Sequence, residues 1–122
     1  MNFDDYQFEA AKTAIFMDGV CQAHPDTSDE IMDFIALSYT ALGLGEVGEI
    51  QGKIKKILRD NACKITDEHV NSIAKELGDV LWYVAAMCDT LGIYMDNVAQ
   101  SNIDKLSSRK ERGKLSGSGD DR

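Results

Sequence analysis

A chain of 122 residues, 43% of them hydrophobic and only one a proline, is long enough to bury a single core. It is also short enough that contact between copies would add useful apolar burial. Its 21 acidic residues outnumber 13 basic ones, for a formal charge of −8. That charge repels a phosphate backbone and argues against a nucleic-acid partner, while a small phosphorylated ligand remains compatible where metal ions screen it.

Three cysteines, Cys21, Cys63 and Cys88, lack a CxxC spacing and point neither to a disulfide framework nor to a thiolate zinc site. The acidic opening "MNFDDYQFEA" is unlike a secretion signal, and no run reaches about eighteen apolar residues. A soluble, cytoplasmic protein with no membrane partner is the expectation. Apolar residues recur with helical rather than alternating spacing, which predicts an all-α fold of four helices. The first runs from about Asp4 to Val20, with Phe3, Tyr6, Ala10, Thr13 and Ala14 near one face, and "HPDTSDE" breaks it. The second runs from about Asp29 to Arg59 and bends near Gly43 and Gly45, two glycines that let a neighbouring backbone or ligand approach. Thr66 caps a third helix that reaches Leu91 and stops at Gly92. A fourth spans Met95 to Arg109, closing a domain of residues 1–109. Residues 110–122, rich in glycine, serine and charge, form a flexible tail.

The chemistry lies in "EVGE" at Glu46 to Glu49 and "ELGD" at Glu76 to Asp79. At about 100° per residue, Glu49 and Lys53 lie beside Glu46 at the edge of an apolar stripe made by Val47, Ile50, Ile54, Ile57 and Leu58. Asp79 and Tyr83 lie in the same relation to Glu76, beside Ile73, Leu77, Val80, Val84 and Met87. If the two stripes pack together, four carboxylates converge at one edge of the core. An acid pair on a helix is ordinarily a solvated face, but two pairs flanked by apolar residues call for cations. All-oxygen donors suit magnesium or manganese rather than redox iron, because acids stand where a di-iron bundle needs the histidines of Glu-x-x-His. On the fourth helix Asn102, Lys105 and Arg109 share a narrow face that suits phosphates, or simply water. Lys53 is alternatively a surface partner of Glu49. His24 reads as a loop residue and His69 as a solvent-exposed one.

These blocks resemble the E-x-x-E…E-x-x-D signature of MazG-like nucleoside triphosphate pyrophosphohydrolases, all-α relatives of dimeric dUTPases. "ALGLGEVGEIQGKIKKILRD", "AKELGDVLWYVAAM" and "NIDKL" are similar to the family's blocks, and "RGKLSGSGDDR" is similar to the tail of a small single-domain subgroup. The resemblance covers nearly the whole chain from Tyr6. It implies that Glu46, Glu49, Glu76 and Asp79 bind Mg²⁺, and that Lys53, Tyr83, Asn102 and Lys105 contact a (d)NTP. Arg109, Lys56 and Arg122 are weaker phosphate candidates. Water attacks the α-phosphate to give NMP and pyrophosphate, with Glu49 the preferred group to activate it. Tyr6 and Gln7 are weaker candidates for a base pocket, and Trp82 is expected in interface packing. A homodimer or homotetramer is expected. The alternatives are an alarmone hydrolase acting on guanosine tetraphosphate-type substrates and a non-catalytic helical interaction module.

Overall fold

The computed structural model describes residues 1–122 and is all-helical. Six α-helices run in order: α1 (Phe3–Ala11), α2 (Phe16–Ala23), α3 (Asp29–Gly43), α4 (Val47–Asp60), α5 (Asp67–Leu91) and α6 (Met95–Glu111). A 3-10 turn at Leu44–Glu46 joins α3 to α4, so Asp29–Asp60 is one long rod and the chain has five rods rather than the four expected. The 3-10 turn falls at Gly43 and Gly45, the pair where the sequence leads one to expect a bend. This rod is also the one element long and apolar enough to cross a membrane by length and composition. Here it packs along α5.

The extra rod comes from a break in the expected first helix. Thr13 turns its hydroxyl back to donate to the Ala10 carbonyl at 2.8 Å and accepts the indole N–H of Trp82 at 2.8 Å. The residue competes with the helical ladder and is held by α5 while doing so. Ile15 follows out of helical geometry, at φ −92° and ψ 2°, and α2 starts afresh at Phe16.

Helix α5 is the spine against which α1, α3 and α4 pack. Its start is fixed by Thr66, whose hydroxyl accepts from the His69 N–H while His69 Nδ1 accepts from the Thr66 N–H, both at 3.2 Å. Its end is fixed by Gly92, which takes a left-handed φ of 67° that a side chain would resist. The small core gathers Ala10, Ala85, Cys88 and Met95, with Tyr6, Leu81, Trp82 and Val84 packed around it.

Two polar clasps lock α1 to the α5–α6 corner. Gln7, buried, donates from Nε2 to the Ile93 carbonyl at 3.0 Å and accepts the Met95 N–H through Oε1 at 2.8 Å. Both ends of its amide are thereby used, so Gln7 braces the corner and is not free for the base pocket suggested above. The helix starts also cap each other. The Phe3 N–H donates to Asp96 at 2.9 Å, and the Asp96 N–H donates to Asp4 at 3.0 Å.

Of the tail expected to be flexible, residues 110–122, Lys110 and Glu111 belong to α6, and residues 112–122 fold back onto the end of that helix. Arg122 donates to the carbonyls of Lys114, Leu115 and Gly119, and Arg112 reaches the Arg122 carbonyl oxygen at 3.0 Å.

Candidate metal centre and phosphate contacts

The 3-10 turn delivers Glu46 to the head of α4, facing α5. There the carboxylate oxygens of Glu46, Glu76 and Asp79 lie within 4.8 Å of one another. Glu46 and Glu76 are half-buried and Asp79 is exposed. Three carboxylates gathered this closely, all of them oxygen donors, could hold a hard divalent cation. Lys53, one turn past the exposed Glu49, does not pair with it. Its ammonium crosses to α5, 3.1 Å from Glu76 and 2.7 Å from the Ser72 hydroxyl. Three acids and this lysine leave a formal charge of −2, which a divalent cation would balance. Glu49 is outside the three-acid group. It lies in the first turn of α4, three residues past Glu46, and is exposed.

One turn beyond Asp79, Tyr83 lies against α3. A Cβ built on Gly43 would overlap the Tyr83 ring, so the glycine is what lets the phenol lie across the helix. The Tyr83 ring meets Trp82 edge-on at 5.0 Å between centroids, and Trp82 meets Phe16 edge-on at 6.5 Å. Phe16 stacks in turn on Tyr39 at 4.5 Å. Trp82 is thus committed to packing and to Thr13. Burial pushes the Tyr83 phenol above its ordinary pKa, helped by Tyr39 and then by the carboxylates of Glu46 and Asp79. It therefore stays a neutral hydrogen-bond donor beside the acids. Tyr6 on α1 is raised in the same way, by burial first and then by Asp79, which brings α1 to the rim of the site.

The fourth-helix trio divides. Asn102 and Lys105 line a groove of about 870 Å³ together with Phe3, Leu81, Val84 and Met95. Arg109, expected to meet a phosphate, is instead 4% exposed beneath the tail. Its Nη2 donates to the carbonyls of Asp120 at 2.5 Å and Gly119 at 3.4 Å, and its Nε has no partner. The Asp120 carboxylate lies 3.6 Å from Arg109 and 3.7 Å from Lys105. Neither Ser72 nor His69 was singled out by the sequence reading as a site residue. His69, read there as solvent-exposed, is half-buried in its cap. The signal was their position four and seven residues before Glu76, on the same side of α5.

Comparison with known proteins gives the chain its family. A family model described as the MazG nucleotide pyrophosphohydrolase domain matches residues 34–113, a span holding both acid pairs, Lys53, Tyr83 and the α6 trio. Over the whole chain, and the whole of the relative, the sequence is 46% identical to "Gene 37 protein" of Mycobacterium phage L5. No solved structure matches.

Proposed function

The chain belongs to the MazG nucleotide pyrophosphohydrolase family, and from that premise we propose that it is a Mg²⁺-dependent enzyme cleaving a (d)NTP to (d)NMP and pyrophosphate. The observation that carries the reading is the meeting of Glu46, Glu76 and Asp79 from two segments of chain, with Lys53 bonded to Glu76. In this reading Glu46, Glu76 and Asp79 hold the metal, with Glu49 joining from the next turn of α4. A divalent cation there supplies charge neutralisation at a phosphoryl oxygen and a bound water of lowered pKa.

The remaining roles belong to the chain itself. Glu49, exposed in the first turn of α4, takes the proton from the attacking water. Lys53 holds Glu76 in place and offers its remaining N–H to a phosphate. Tyr83, kept protonated, donates a hydrogen bond to the same anionic group. Asn102 and Lys105 contact the nucleotide from the groove of α6. The test is product analysis over a panel of ordinary nucleotides, modified nucleotides and alarmones. NMP with pyrophosphate from a triphosphate supports the reading. Turnover of the alarmones alone moves the substrate, and no turnover with any of them leaves a non-catalytic helical module.

The protein works as a homodimer or homotetramer in this reading. The lone chain exposes 8895 Å², against about 6,500 Å² for a compact monomer of its 13.5 kDa. The excess, roughly 2,400 Å², is larger than the ~800 Å² per partner of a standard interface. Much of it is apolar surface on the long rod, where Phe34 is 67% and Leu42 81% exposed. Light scattering at micromolar concentration should report at least twice the chain mass, and a monomer would contradict this.

A further inference from the structure

Where the C-terminal half of α4 meets the start of α5, a polar cavity of about 360 Å³ is lined by Lys53, Lys56, Asn61, His69 and Ser72, among others. It opens from the metal centre, since Lys53 belongs to both: its ammonium bonds Ser72 inside the cavity and Glu76 at the acids. The same face of α5 carries His69, Ser72, Glu76 and Asp79 over three turns. Helix α4 has a matching polarity, with Glu49 in its first turn and Lys53, Lys55, Lys56 and Arg59 further along, four of the 13 basic residues of an acidic chain.

The groups in the cavity are donors. Nδ1 of His69 already accepts the Thr66 N–H, so a neutral ring carries its proton on Nε2, where it can donate. Lys56 forms no ion pair. The one acid in the lining, Asp60, is engaged by Arg59 in a two-pronged contact of 2.7 and 2.6 Å, with Lys56 close enough to help hold its carboxyl below the usual range. By contrast, Lys105 and Arg109 on α6 already have oxygen neighbours, Lys105 at Asp120 and Arg109 inside the tail.

We propose that this cavity is the seat of the departing pyrophosphate, with Lys53, Lys56, Ser72 and His69 as its ligands. The triphosphate then runs from the acids back along α4 and α5, and the nucleoside lies on the Tyr83 side. This rests on the pyrophosphohydrolase reading and adds to it a direction for the substrate, a defined role for Lys56 and two further residues, Ser72 and His69.

Calorimetric titration of inorganic pyrophosphate with Mg²⁺ tests it, using the full chain and the variants Lys56→Gln and Lys55→Gln. The two substitutions remove the same charge from adjacent positions, and only Lys56 lines the cavity. Lys56→Gln should weaken pyrophosphate binding about tenfold, and Lys55→Gln by no more than about twofold. NMP binding should be unchanged in both. Equal effects of the two variants, a matching loss of NMP binding, or no pyrophosphate binding by the wild-type chain would overturn the proposal. Wild-type turnover of a dNTP, measured alongside, judges the parent reading separately. If turnover is present and Lys56→Gln binds pyrophosphate normally, the subsite alone fails. If turnover is absent and the Lys56 effect is present, an anion site stands without the hydrolysis.

Discussion

Asp79→Asn is expected to lower turnover by more than about 100-fold, beyond what loss of an outer partner to a metal ligand ordinarily costs. The fold should survive, because Asp79 is exposed and makes no hydrogen bond or ion pair within the chain. Without metal, the variant should melt no lower than the wild type, since one of three clustered carboxylates loses its charge, a surface effect of under about 1 kcal/mol. The diagnostic is the shift in melting temperature on adding Mg²⁺ with a non-hydrolysable dNTP. A ligand that binds only the native state raises its stability, and that rise should be present in the wild type and absent in Asp79→Asn. Wild-type turnover in the variant would mean that the acids are a solvated face.

Gly43→Ala should destabilise the fold by about 1–3 kcal/mol, because the new methyl meets the Tyr83 ring and an overfilled contact must push side chain or helix aside. The ring has little room to yield, with Trp82 edge-on against it. Gly45→Ala, two residues on, provides the comparison. A Cβ there meets open space, so that change should be neutral or stabilising by up to about 1 kcal/mol through helix propensity. Thermal melting separates the two. Coupling to Tyr83 is read from the double variant Gly43→Ala, Tyr83→Ala, which should be little worse than Tyr83→Ala alone. Equal melting of the Gly43 and Gly45 variants would refute the contact. Because the same ring presents the phenol beside Glu46 and Asp79, Gly43→Ala should also slow turnover.

The sequence was most readable where a signal is local. Thr66 and Gly92 bound α5 where capping chemistry puts them, and the helical ladder is interrupted by a 3-10 turn at the glycine pair. Glu76 and Asp79 come together because residues three apart on α5 share a face whatever surrounds them, and Glu46 meets them from the head of α4. The remainder depended on contacts far apart in the chain. The break after Ala11 needs Trp82 to hold Thr13, sixty-nine residues away. Gln7 looked available for a ligand because its partners, the Ile93 carbonyl and the Met95 N–H, are backbone groups of a distant corner. Arg109 looked like a phosphate contact because composition alone suggests a loose tail. The arginine-to-carbonyl bonds that fold residues 112–122 over it have no sequence period. Glu49 lies outside the group of three acids, and helical spacing alone does not tell which oxygens of a converging set come closest.

Hydrolysis in ¹⁸O-labelled water tests the central claim most directly. Acids at the α-phosphate, with Lys53 leading away from them, make pyrophosphate the leaving group, so the label should enter the nucleoside monophosphate and pyrophosphate should emerge unlabelled. Label recovered in orthophosphate formed directly by the purified protein, with NDP as the other product, would place the acids at the γ-phosphate and contradict the account.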